Sequence, residues 1–253
     1  MQLGLKLGSK DIRYTKDILS FYKQGYFQYI ELFAVPGSFD DTIDYWKPFS
    51  IPIGIHAPHS MAGVNLSLSG ERKNNNKKLR ETVQFADSLN AEYIIFHGGI
   101  NGSIEETISQ LRPFADSRCL IENKPIRGLN DEKCIGALPD EISHITNELK
   151  IGFCLDFGHA ICAANSLKKE PLSFINELVQ LHPVMYHLTD GDYKSEYDSH
   201  IHYGQGTFPL RDLLKMVPVD AKLTNEAKHD SAIGFDDFKK DSEFLCKTQF
   251  YEK

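Results

Sequence analysis

The chain has 253 residues, 41% hydrophobic and 25% charged, with a net charge of −7. This ordinary globular composition excludes a broad cationic surface for nucleic acid, although bound metal cations could reverse the field locally. No apolar run reaches the ~18 residues of a membrane span. Five cysteines, an odd number without CxxC spacing, suggest neither a disulfide framework nor a zinc knuckle and fit a reducing cytoplasm.

The N-terminus, Met1-Gln2-Leu3-Gly4-Leu5-Lys6-Leu7, alternates like a strand and lacks the long apolar core of a signal peptide. Eight strands are predicted: Leu3–Leu7, Tyr29–Phe33, Ile51–His56, Tyr93–His97, Cys119–Glu122, Ile151–Asp156, Val184–Leu188 and Lys222–Glu226. Most are short and nearly continuous in apolar residues, as parallel strands covered on both faces should be. Helical stretches alternate with them. Leu79, Val83, Ala86 and Leu89 share one face between about Asn75 and Leu89, after a basic, solvated start at Arg72–Arg80. A second helix begins near Pro139, with Ile142, Ile145 and Leu149 on one face, and a last one near Phe235. Trp46 is read as a packing residue and Cys119 and Cys154 as small core residues. Eight strand–helix repeats in a chain close to the usual ~250 residues predict one (β/α)8 TIM barrel spanning residues 1–253.

Six of these strands end on, or one step from, a residue able to bind a metal: His56, His97, Glu122, Asp156, His187 and Glu226. A polar side chain at the end of a buried run is costly unless something compensates it. In such barrels the strand C-termini form the active-site mouth, so the six are expected to converge there. Imidazole and carboxylate together suit zinc, manganese and similar ions. His159, in Asp156-Phe157-Gly158-His159, lies within reach of the same mouth, as do Asp198 and His200 in Asp198-Ser199-His200-Ile201-His202-Tyr203-Gly204-Gln205-Gly206. The two glycines there imply a tight turn. Glu31 is expected to line the mouth or to hydrogen-bond a ligand from outside.

With His56-Ala57-Pro58, Phe96-His97-Gly98-Gly99, Ile121-Glu122-Asn123, Leu155-Asp156-Phe157-Gly158-His159, His187-Leu188-Thr189-Asp190 and Glu226, the chain resembles the superfamily joining endonuclease IV to xylose isomerase-like sugar isomerases and epimerases. The resemblance implies up to three metal ions, zinc above all. His56 and His97 would hold one, with Glu122 as a bridge. Glu122, Asp156, His187 and Glu226 would hold the second, and His159, Asp198 and His200 the third. It further implies phosphoester cleavage by a metal-bound hydroxide, with abasic-site DNA or a small sugar-phosphate-like molecule as substrate. Glu122, Glu226 and His159 are the expected catalytic residues, and His59, Lys124, His202 and Lys228 the expected substrate contacts.

His59 stands where the nucleases have a tyrosine and is itself an alternative to His56 as ligand. The alternative activity is a one-metal sugar or sugar-phosphate isomerase or epimerase, using manganese or cobalt. Glu122 and Glu226 would then be its acid/base pair and His159 a substrate contact. A non-catalytic binding barrel would be expected to lack some ligands, and none is missing. No membrane partner is expected, and the sequence carries no signal of oligomeric state.

Overall fold

In the computed structural model, which describes residues 1–228 and 235–250, the alternation of strands and helices closes on itself. The strands are β1 (Gln2–Gly8), β2 (Tyr29–Phe33), β3 (Ile53–His56), β4 (Ile94–His97), β5 (Cys119–Glu122), β6 (Gly152–Asp156), β7 (Met185–Leu188) and β8 (Lys222–Asn225). Each pairs in parallel with its sequence neighbour, and β8 pairs with β1, giving a closed barrel. The helices α1 (Thr15–Lys23), α2 (Phe39–Trp46), α3 (Arg72–Ser88), α4 (Ile104–Leu111), α5 (Pro139–Leu149), α6 (Phe157–Ser166), α7 (Pro171–Val179), α8 (Leu210–Lys215) and α9 (Asp236–Phe250) lie between or after the strands. This is the (β/α)8 TIM barrel expected from the alternation.

Two expectations shift in detail. Pro52 cannot donate to a ladder, and β3 starts one residue beyond it. The buried stripe of α3 runs Asn75, Leu79, Thr82, Phe85 and Ala86, rotated from the apolar pattern. Asn75 tolerates burial because its side chain bonds Asn65 at both N and O and Gln110 Oε1. Trp46 is fully buried, its indole N–H on Ser9 O at 2.8 Å.

Period-two alternation divides each strand between two cores. Outward residues such as Leu5, Ile30, Ile55 and Leu155 meet the helices in the main cluster. The barrel lumen holds a smaller one: Tyr29, Tyr93, Ile95, Leu120, Cys154 and Met185. The tyrosine rings fit because small residues face them. A Cβ on Gly54 would lie 2.0 Å from the Tyr93 ring, and one on Gly4 2.3 Å from Tyr29.

One level above this plug the inward position of every strand is polar or charged: Lys6, Glu31, His56, His97, Glu122, Asp156, His187 and, just past β8, Glu226. The register sets this level, pairing Lys6 with Glu31, His97 with Glu122 and Asp156 with His187.

Gly54→Ala must displace the Tyr93 ring and should destabilise the protein by roughly 1–3 kcal/mol, read as a lower urea midpoint. Gly70→Ala, whose Cβ meets nothing within 4 Å, should leave the midpoint unchanged.

Candidate metal centre

The inward level of the barrel is the floor of the mouth, and Glu122 is its centre. It is fully buried at the end of β5. Its Oε2 lies 3.2 Å from His56 Nε2, 3.0 Å from His97 Nε2 and 3.5 Å from His187 Nδ1; its Oε1 lies 3.0 Å from His159 Nδ1. Burial works to raise this carboxyl, yet His97, His187 and His159 hold it well below its ordinary range. Burial pushes the His97 imidazole down, against the pull of Glu122.

The backbone or a buried carboxylate fixes four of the rings. His56 Nδ1 lies on Ala57 O at 2.9 Å, His159 Nδ1 on Asn123 O at 2.9 Å, and His200 Nδ1 on Glu226 O at 2.9 Å. A carbonyl can only accept, so each Nδ1 donates and Nε2 faces the mouth. His187 is turned the other way, with Nε2 donating to Glu31 Oε2 at 2.9 Å and Nδ1 facing the mouth. Such outer partners are what orient metal-ligating imidazoles.

Three ligand groups result, each with donor atoms within 4.8 Å of one another: His56, His97 and Glu122; His159, Asp198 and His200; and Glu31, His187 and Glu226. A fourth, Glu122, Asp156 and His159, joins the first two. Thus His56 rather than His59 belongs to the first group. His59 stacks on His97 at 4.6 Å and meets Phe33 edge-on, forming a wall of the mouth.

Asp156 caps α6, its Oδ1 accepting His159 N–H at 2.6 Å, so it falls beside Glu122 and His159 and not with His187 and Glu226. In that last group Glu31 takes its place. Glu31 Oε2, however, already accepts from Tyr93 (3.2 Å), Thr224 (2.8 Å) and His187, which suits it to supporting His187 more than to holding an ion. Burial would raise the Glu31 carboxyl, but His187 and Lys6 bring it down to about 2. Burial raises Asp156 to about 6, aided by Glu226 and Glu122. At His159 burial is outweighed by Asp156, Asp198 and Glu122, which lift the ring to about 10, so an ion there competes with a proton.

The donor chemistry fits a divalent cation. Glu122 Oε1 and His187 Nδ1 are buried without a hydrogen-bond partner. His187 Nδ1 nevertheless faces Glu226 Oε1 at 2.9 Å and Glu122 Oε2 at 3.5 Å. A lone pair opposed to two carboxylates is repulsive, so a proton or a metal ion must stand between them.

Lys6 is a member of the mouth that the sequence pattern does not single out. From β1 its ammonium bonds Glu226 and lies 3.3 Å from Glu31 Oε1. Burial opposes its charge, but Glu226 and Glu31 raise its pKa. A lysine flanked by leucines reads as the solvent face of an ordinary strand; only a barrel with a charged lumen turns it inward.

The loop after β7 carries Asp198 and His200, with His200 Nε2 2.5 Å from Asp198 Oδ2. His200 adopts φ 48°, the left-handed region that non-glycine residues rarely occupy and that collects at functional sites. Buried Asp190 ties the loop together, accepting N–H from Gly191 (2.8 Å), Gly204 (2.9 Å), Gly206 (3.0 Å) and Phe208 (3.1 Å). A Cβ on Gly206 would meet Asp190 Oδ1 at 2.4 Å, the reason for that glycine.

The expected substrate contacts divide. His59 lines the mouth, and Lys228 is exposed beside it, its N–H on His200 O at 3.0 Å. Lys124 turns inward, its Nζ 3.1 Å from His159 Nε2. His202 is buried, its Nδ1 on Asp241 Oδ2 of α9 at 2.9 Å. His229 lies outside the described residues.

The chain is 28% identical over 162 residues to Probable endonuclease 4 of Thermoplasma volcanium, covering 58% of this chain and 56% of that protein. It is 29% identical over 187 residues to Endonuclease 4 of Thermus thermophilus, covering 68% and 66%. Each match thus spans less than two thirds of the relative's length. Among solved structures, an endonuclease IV of Thermus thermophilus superposes with a TM-score of 0.75 at 21% identity, covering 98% of this chain and 99% of that one. A D-tagatose 3-epimerase-like protein superposes with 0.70 at 19%, covering 98% and 97%. Both share the fold. Residues 27–247 match the family model for the xylose isomerase-like TIM barrel, and the chain belongs to that family.

Proposed function

We propose that this protein is a divalent-metal-dependent hydrolase of the endonuclease IV type, acting on a phosphoester in abasic-site DNA or a small sugar-phosphate-like molecule. The observation that carries the reading is a pair of ligand groups, His56–His97–Glu122 and His159–Asp198–His200, linked through Glu122, Asp156 and His159, with His187 and Glu226 beside them. For a single ion His56, His97, Asp198 and His200 are superfluous. For three ions, with zinc the best match to the donors, they complete the set.

His56, His97 and Glu122 would hold one ion. His187 and Glu226, with Glu122 approaching from β5, would hold the second, and His159, Asp198 and His200 the third, with Asp156 between Glu122 and His159. Bound there, such ions would supply Lewis acidity toward the phosphoester and lower the pKa of water. The chain's own residues do the positioning. Glu122 joins the groups, Glu31 keeps His187 turned to the mouth, and Lys6 steadies Glu226. The wall of Phe33 and His59 excludes water from one side, and Lys228 offers a cation to an anionic substrate.

One observation favours a second reading, a one-metal sugar isomerase or epimerase using manganese or cobalt. Glu122 and Glu226 approach His187 Nδ1 from two directions, at 3.5 and 2.9 Å. An acid/base pair flanking one ion is what proton transfer at a carbon beside a polarised carbonyl requires.

Protein purified without chelator and saturated with zinc should carry three ions by mass spectrometry and incise an abasic-site duplex. Glu122→Gln should abolish activity under either reading. Asp198→Ala separates them: the hydrolase should lose one zinc equivalent and fall by more than about 100-fold, beyond the cost of an outer hydrogen bond. An isomerase would keep its activity with one manganese or cobalt. Fully metallated protein that leaves the abasic duplex intact would rule out the repair role.

A further inference from the structure

The loop after β5 departs from the usual behaviour of lysine, whose charge normally reaches water. Lys124 follows Glu122-Asn123, and its backbone is fixed three ways. The Asn123 side chain bonds Asp156 at both N (2.7 Å) and O (2.9 Å), Lys124 N–H bonds Gly136 O at 2.9 Å, and Pro125 restricts the residue before it to extended conformations. From this base the side chain runs inward and is only 15% exposed. Its Nζ lies 3.1 Å from His159 Nε2 and 4.0 Å from Glu122 Oε1.

His159 Nδ1 is committed to Asn123 O, so Nε2 is the atom open to an ion, and it also faces Asp198 Oδ2 at 3.4 Å. A zinc ion would bind Nε2 at about 2.0–2.1 Å. That places it within a few ångströms of the Lys124 ammonium, in a pocket too dry to screen the repulsion.

We propose that Lys124 is a tethered competitor of the ion held by His159, Asp198 and His200, making that ion the weakest-bound and most exchangeable of the cluster. The inference rests on the metal reading above and adds to it a residue that tunes occupancy. Filling the third position requires the ammonium to move away from His159, at 3.1 Å, whereas its approach to the other ligand groups is the longer 4.0 Å to Glu122 Oε1.

The test is zinc titration of metal-free, full-length protein, followed by calorimetry and by native mass spectrometry for the count. Lys124→Met should bind its last zinc ion at least tenfold more tightly than the unaltered protein, a larger gain than at the other ions. Lys124→Gln should do the same, which guards against a folding defect in one variant. Adding Asp198→Ala to Lys124→Met should erase the gain and one equivalent of metal. Equal affinity for every ion with and without Lys124 would overturn the inference while leaving the metal reading intact. Failure of all these proteins to take up zinc would overturn both.

Discussion

A carboxylate with no access to water sits among four imidazoles at the centre of this protein, and the mouth is organised by the need to keep Glu122 charged there. Burying an anion costs several kcal/mol unless opposite charge and hydrogen bonds surround it. Here the rings of His56, His97 and His187 converge on one of its oxygens and His159 approaches the other. They arrive from β3, β4, β7 and the start of α6. The barrel register brings them to one mouth, pairing His97 with Glu122 and Asp156 with His187 and setting His56 two residues below His97. Around Glu122 stand the further carboxylates Glu31, Asp156, Asp198 and Glu226, with Lys6 and Lys124 turned toward them. This mixture of carboxylate and imidazole donors is what suits the mouth to divalent ions.

Beneath the charged level lies a support that the chemistry depends on indirectly. Tyr93 and Thr224 both donate to the oxygen of Glu31 that holds His187, and Thr224 is shared with Tyr29 at 2.9 Å. The tyrosines plugging the lumen therefore also align an imidazole one layer above them. Packing of the lumen and alignment of the ligand groups share the same side chains. One fold can host both hydrolases and isomerases on such a base, because function depends on which ligands stand above it.

Much of this arrangement was legible in the sequence. The strands ending on His56, His97, Glu122, Asp156 and His187 were readable because a polar residue closing an apolar run has few innocent explanations. The lumen was not. Gly4 and Lys6 alternate with leucines, so β1 looks like a strand with one wet face, whereas its polar side faces a packed interior. Glu31 was visible as a mouth residue, but its three donors come from the entry to β4, from β7 and from β8, distances in sequence that no local pattern encodes. The α3 stripe was misplaced because Asn75 and Thr82, polar by type, are buried through hydrogen bonds of their own. His202 resembled its neighbour His200, yet its partner Asp241 lies on the last helix.

The loop bearing Asp198 and His200 has a consequence beyond its ligands. Asp190 grips it at Gly191 and again at Gly204, Gly206 and Phe208, so both feet rest on one buried carboxylate. Between them the chain passes through the partly exposed stretch 192–197. A cassette anchored in this way can exchange its crest for another sequence of similar span while the feet, and the imidazole beside them, stay in register with the barrel. Diversity in what enters the mouth can therefore accumulate at the crest while the ligand groups below keep their places.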